Sequence, residues 1–190
     1  MAMARRQPKY RAVGDILKLQ LCLGARVGEI SGMPASELST DAKGRLLWTL
    51  PAERAKNKRA RITPILGLAK EIINSRSGEI LFPSPSGEAF YTSLVGQRLR
   101  ERWDKLPIAR FVTHDMRRTV ATKMVKLGLS LELVATVVGH SAGNAHTSTL
   151  VRHYVHDDFI DRKADALAKW DRRLRQILAG EAGKVVALRA

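Results

Sequence analysis

Apolar positions set out the first elements. Between Gly14 and Ile30, the residues Ile16, Leu17, Leu19, Leu21, Leu23 and Ile30 recur as they do in a largely buried helix, with Gly24 and Gly28 as its candidate breaks. Pro34 opens a new segment. LLWTL (46–50) and ARITPI (60–65) have strand composition, and the polar PAERAKNKR between them predicts an antiparallel hairpin with Pro64 at a strand edge or end. GLAKEIINSR predicts a short helix, and LFPSPSGEAF, with its prolines and glycine, a loop. Thr92 or Ser93 is placed to cap a helix reaching about Leu106 that packs through Leu94, Leu99 and Trp103. Thr113 is placed to cap the next helix, which Gly128 ends; Ser130 caps LELVATVV, which Gly139 ends. After the polar AGNAHTST, a last helix is expected from about Asp158 to Leu178, packing through Leu167, Trp170, Leu174 and Leu178. The pattern describes an α+β chain, mainly α, with a small antiparallel sheet near the N-terminal third. Residues 1–13 read as a basic arm or linker remnant, 14–180 as the domain and 181–190 as a tail.

Size and charge narrow the partners. A chain of 190 residues, 45% of them hydrophobic, suffices for one compact domain or at most two small ones. Lys and Arg number 33 against 18 Asp and Glu, a net charge of +15, which points to a polyanion: nucleic acid first, an anionic membrane surface second. No run approaches the roughly 18 apolar residues of a membrane span. MAMARRQPKY lacks the apolar stretch of a secretory signal. Cys22 stands alone, so no disulfide framework is expected, and a reducing cytoplasm is the simplest setting.

Candidate chemistry begins at THDMRR. His114 and Arg117 lie one helical turn apart near a helix start, where free N–H groups favour an anion. Taken alone, the pair reads more plainly as a solvated helix face. Downstream, VVGHS places His140 on a turn after a helix end, and TLVRHYVH brings Tyr154. The other tyrosines are Tyr10, in the basic arm, and Tyr91, beside a helix cap. The plain alternatives are a hydrogen-bonded core aromatic for Tyr154 and a C-capping side chain for His140.

Together these stretches resemble the catalytic domain of tyrosine recombinases, the phage integrase family, whose fold is the helical DNA breaking–rejoining fold with a small antiparallel sheet. GARVGEISGM is similar to the first arginine box, with Arg26 and the acidic Glu29; THDMRR to the His-x-x-Arg box, with His114 and Arg117. VVGHS is similar to the Leu-Gly-His box, with His140 and a valine in place of the common leucine, and TLVRHYVH to the nucleophile box, with Tyr154. RAKNKRARITPI resembles the hairpin carrying the family's catalytic lysine, here Lys56 or, two residues on, Lys58. The segment between His140 and Tyr154 is longer than the family's usual connection. The hairpin and C-terminal segment most resemble prophage and genomic-island integrases.

The resemblance implies a site-specific DNA recombinase acting by transesterification. Tyr154 is the nucleophile, forming a 3′-phosphotyrosyl bond and releasing a 5′-hydroxyl, with no metal, ATP or other cofactor. Arg26 and Arg117 clamp the phosphate, His114 and His140 assist, Lys56 protonates the leaving oxygen and Glu29 orients catalytic groups from behind. The basic hairpin residues Arg54, Lys58, Arg59 and Arg61 are expected to be solvated and to track DNA phosphates. The implied partners are double-stranded attachment-site DNA and further copies of the chain, a tetramer at full length, with no membrane. The implied setting is the nucleoid in a bacterial cytoplasm. Family members usually carry an N-terminal helical clamping domain; this chain begins almost at the catalytic one and reads as an excised piece or truncated gene product, with weak DNA affinity and poor site specificity expected of it alone. Two competing readings are a non-catalytic DNA-binding module of recombinase ancestry and a type IB topoisomerase-like enzyme.

Overall fold

The computed structural model describes residues 8–139 and 156–181. Seven helices occur among them: α1 (Pro8–Leu23), α2 (Val27–Ser31), α3 (Gly67–Asn74), α4 (Thr92–Arg100), α5 (Thr113–Lys126), α6 (Leu131–Val138) and α7 (His156–Leu178). The strands β1 (Leu38–Thr40), β2 (Leu46–Leu50) and β3 (Arg61–Ile65) form one antiparallel sheet in the order β1-β2-β3. None of the described helices is long and apolar enough to cross a membrane.

The helical body is built around α1. Its Ile16, Leu19 and Leu23 are buried with Val120 and Met124 of α5, Val134 and Val137 of α6, and Leu167 and Trp170 of α7. The Trp170 indole also donates to the Leu21 carbonyl at 2.7 Å, so its one polar group is satisfied inside the core. Gly24 breaks the helix as expected. Its φ is +63°, and a Cβ there would lie 2.9 Å from Val138 Cγ1 and 3.1 Å from Val120 Cγ1, so both backbone and packing call for glycine. This close turn sets Gly24 against α5 and the end of α6, and brings Arg26, at the start of α2, to the Gly139 carbonyl.

Helix α1 includes residues 8–13, which composition had placed in the arm; of these, Ala12 and Val13 are buried in the core. The hairpin of β2 and β3 lies where its composition put it. Its companion β1 had no sequence signal, because a three-residue strand with a half-buried and two exposed positions shows no alternation. Helix α4 stops at Arg100, short of Leu106, and gives way to a 3-10 turn at Trp103–Lys105. Pro107 disfavours helical geometry at the residue before it, and the Trp103 indole donates to the Phe111 carbonyl at 3.2 Å instead of packing along a helix. Ser130 caps α6 as expected, accepting from the Leu133 N–H at 3.2 Å. Thr113 does not cap α5. The cap is Val112, whose N–H donates to Asp115 Oδ2 at 3.0 Å, so the acid of the first turn supplies the missing acceptor. Likewise Thr92 lies inside α4, behind Tyr91.

β3 is an outer strand, and it tolerates Pro64 opposite Leu47 because that position gives no donor to β2. By the alternation of the ladder, Ile62 and Pro64 turn their backbone groups away from β2. Lys163 of α7 reaches that side and donates to the Ile62 carbonyl at 2.8 Å. Helix α7 thus lies along the sheet and fixes the hairpin to the body.

Candidate active site

The turn at Gly24 places Arg26 at the mouth of α2, with Glu29 one turn on. Glu29 is 3% exposed. Its Oε1 accepts from Arg26 Nη1 at 2.9 Å and its Oε2 from the Arg26 backbone N–H at 3.0 Å, so one side chain holds both ends of this arginine. A second Arg26 nitrogen, Nη2, reaches the Gly139 carbonyl at 3.4 Å. Burial opposes ionisation of Glu29, but the nearby Arg61 guanidinium and the hydrogen bonds from Arg26 outweigh it and hold the carboxyl below its usual range.

On α5, Arg117 turns inward and is 2% exposed. Its Nη1 donates to the Gly24 carbonyl at 2.8 Å and also to the Val138 carbonyl. Its Nη2 is buried with no partner among the described residues. Burial first, then the like charges of Arg26 and Arg61, push the Arg117 pKa down to about 10, with Glu29 partly offsetting them. The group remains charged at neutral pH.

Two basic residues of the hairpin region depart from the expected solvated surface. Arg61 donates through Nη2 to Glu29 Oε2 at 2.9 Å and through Nη1 to the Val138 carbonyl at 3.1 Å, and its side chain is 10% exposed. Arg54 donates through Nη1 to the Gly32 carbonyl at 2.6 Å and to Glu37 Oε1 at 3.1 Å, and through Nη2 to the Glu29 carbonyl at 2.5 Å. Both arginines brace the sheet against α2, because a buried guanidinium must find acceptors for its fixed fork of donors. Lys56, Lys58 and Arg59 remain exposed on the 51–60 connection.

Among the described residues, the cluster carries an uncompensated charge. The guanidinium groups of Arg26 and Arg61 share the single Glu29 carboxylate, that of Arg117 does not bond to it, and the other bonds of the three go to the carbonyls of Gly24, Val138 and Gly139. A half-buried positive excess with an unsatisfied N–H donor suits an anion. Among the described residues, no His, Cys, Asp and Glu side chains are grouped to hold a metal ion.

Gly139 shows how tightly this region is drawn. Its φ is +70°, and a Cβ there would lie 1.8 Å from Arg61 Nη1. Gly128, with φ +81° and open space around it, shares the backbone penalty alone. Gly128→Ala is expected to destabilise the fold by about 1 kcal/mol and Gly139→Ala by roughly 2–3 kcal/mol, since the latter also displaces Arg61. Urea unfolding of the two variants measures the difference, and equal losses would mean that Arg61 yields freely.

Of the residues singled out by sequence, Arg26, Glu29 and Arg117 meet around Val138 and Gly139. His114 is exposed on the first turn of α5, and Lys56 is exposed on the hairpin connection. His140 and Tyr154 lie outside the described residues. Two cations beside this cluster lie further inside than the sequence suggests: Arg61, expected to be solvated, and Lys163, which the sequence did not single out. Arg61 alternates with Thr63 and Ile65 along β3, a period of two that signals its inward face. Lys163 falls on the same stripe of α7 as Ile160, Leu167 and Trp170 and is 6% exposed; burial and then Arg61 bring its pKa down to about 8.

The description "Phage integrase family" matches residues 1–160. No curated protein matches the chain closely enough to count as a relative. Among solved structures, the fold is similar to an integrase from mycobacterium phage Brujita, with TM-score 0.66 and 18% identity over 92% of this chain and 58% of that one. It is also similar to XerH site-specific recombinase bound to its difH substrate in a pre-cleavage complex, with TM-score 0.56 and 16% identity over 83% of this chain and 47% of that one. A lambda integrase tetramer bound to a Holliday junction gives TM-score 0.54 and 18% identity over 76% of this chain and 50% of that one. The chain therefore spans about half the length of these proteins.

Proposed function

The chain belongs to the phage integrase family, and on that premise we propose that it is the catalytic part of a DNA strand transferase of the prophage or genomic-island integrase type. The reaction exchanges phosphodiester bonds. The Tyr154 oxygen bonds to the scissile phosphorus while the 5′-oxygen bond breaks, leaving a 3′-phosphotyrosyl link and a 5′-hydroxyl. A 5′-hydroxyl from a partner strand then attacks that link and restores the phenol, so the bond energy is kept throughout and no nucleotide cofactor enters.

The observation that carries this reading is the positive charge around Val138 and Gly139, uncompensated among the described residues, with an Arg117 donor that finds no acceptor among them. Negative charge grows on the nonbridging oxygens as the nucleophile attacks, and preformed donors at that position lower the barrier without reorganising. In this reading Arg26 and Arg117 hold those oxygens, and His140, next to Gly139 in sequence, adds a further hydrogen bond. His114 accepts the phenol proton or donates to the phosphate. Lys56, on the exposed connection, gives its proton to the leaving 5′-oxygen, with Lys58 two residues on as the alternative donor. Glu29 orients Arg26. Duplex attachment-site DNA is the substrate, and assembly on it as a tetramer, in a bacterial cytoplasm, follows the form in which lambda integrase binds a Holliday junction.

The test is covalent trapping. The chain is incubated with a pool of nicked duplexes of randomised core sequence, from which the cleaved fragment diffuses away and leaves the link stranded. An adduct that survives denaturation and maps to Tyr154 supports the reading. DNA binding without an adduct would instead leave a non-catalytic DNA-binding module.

The hairpin lysine is tested on the sequence recovered from that pool. Lys56→Ala is expected to slow adduct formation by about 100-fold, within the range of general acid catalysis, and a bridging 5′-sulfur, which leaves without a proton, should restore the rate. Restoration in Lys58→Ala and not in Lys56→Ala would move the role to Lys58.

A further inference from the structure

We propose that Arg61 is a positioning residue for the strand-transfer step, coupling the hairpin that bears Lys56 to the two arginines of the phosphate clamp; the inference rests on the recombinase reading above. Arg61 is the first residue of β3, so it is joined directly to the 51–60 connection. Its neighbours on the ladder fix where it points. It pairs with Leu50 and lies on the same face as Thr63, which pairs with the buried Trp48, and its guanidinium lies 5.9 Å from the Trp48 ring centre.

From there each arm of its fork ends on an acceptor that a clamp arginine also uses. Nη2 bonds to Glu29 Oε2, and the same carboxylate holds Arg26 through Oε1. Nη1 bonds to the Val138 carbonyl, which also accepts from Arg117 Nη1. Its remaining nitrogen, Nε, is buried without a partner among the described residues. A displacement of the hairpin therefore shifts the carboxylate behind Arg26 and the carbonyl behind Arg117 together. Arg61 stands behind the clamp, and its effect on a phosphate passes through the groups it holds.

Lysine keeps the charge but presents a single point of donation, so it cannot span both acceptors in one plane. Arg61→Lys thus isolates geometry from charge. Its adduct rate at saturating DNA, on the nicked duplex recovered by trapping, is expected to fall at least about tenfold, with the half-saturating DNA concentration within about twofold of the parent. Adding Glu29→Gln should slow the double variant no further than the slower single one, because both changes break one linkage. A merely structural arginine would lower the melting temperature and the active fraction without this split between rate and half-saturation. The proposal is overturned if folded Arg61→Lys cleaves within twofold of the parent, if the loss lies entirely in DNA binding, or if the two losses multiply. Should Arg61→Lys not fold, Glu29→Gln alone must show the same split, and failure to do so overturns it equally. The parent chain is the control. No adduct from the parent removes the recombinase reading and this inference with it, whereas a normal parent adduct with an unaffected Arg61→Lys removes the inference alone.

Discussion

Tyr154→Phe is expected to abolish the covalent DNA adduct, by at least about 1,000-fold, while the chain still binds DNA within about twofold of the parent. The substitution removes one oxygen and almost no volume, so neither packing nor the basic surface should change. What is lost is the only atom that the proposed step bonds to phosphorus. A phenol with a pKa of about 10 is ionised to roughly one part in a thousand at neutral pH, which makes it a poor nucleophile unless cations stabilise the phenolate. Burial is the larger cause of the lowered Arg117 pKa and would oppose a phenolate, but the like charges of Arg26 and Arg61 that add to that shift would favour a phenolate brought beside them. Denaturing electrophoresis of labelled duplex after incubation reads the outcome. An adduct of normal yield in Tyr154→Phe would assign the nucleophile elsewhere, and peptide mapping would locate it.

Arg117→Ala carries the second large effect, and it has two parts. Loss of a donor aimed at the developing oxyanion is expected to slow cleavage by about 100–1,000-fold, or roughly 3–4 kcal/mol of transition-state stabilisation. The fold should also weaken by about 1–3 kcal/mol, because the Gly24 carbonyl loses its buried donor and the Val138 carbonyl keeps, among the described residues, only Arg61. Arg117→Lys separates the two. It retains a charge and one donor, so much of the stability should return, but it cannot hold two nonbridging oxygens in a plane and the rate should stay low. Urea unfolding and single-turnover cleavage of the folded protein measure the parts independently. A cleavage rate within tenfold of the parent for folded Arg117→Ala would remove this arginine from the clamp.

Much of the frame was legible because its signals are local. Gly24, Gly128 and Gly139 marked helix ends through a backbone angle only glycine adopts easily, and Ser130 marked a start through its own hydroxyl. The hairpin showed itself by strand-rich composition on both sides of a polar connection. Arg26, Glu29 and Arg117 were singled out through the resemblance of their stretches to the recombinase boxes, and the structure brings the three together. What stayed hidden depends on contacts distant in sequence. Nothing local to Arg54 or Arg61 says that carboxylates 17 and 32 residues upstream, or a carbonyl at the end of α6, will receive their donors. The cap of α5 was misassigned to Thr113 because a threonine there and an aspartate two residues later are both plausible acceptors. Only the backbone geometry at Val112 decides between them.

The outer flank of β3 has a consequence for how copies of the chain meet. A bare strand rim is a template on which another molecule can extend the sheet, and stray hydrogen-bonding groups there seed precipitation. Pro64 presents no N–H on that rim, and Lys163 already occupies the Ile62 oxygen. The opposite rim, β1, is only three residues long. Among the described residues, then, each rim of this small sheet offers few free backbone groups in a row, which guards it against amyloid-like growth edge to edge.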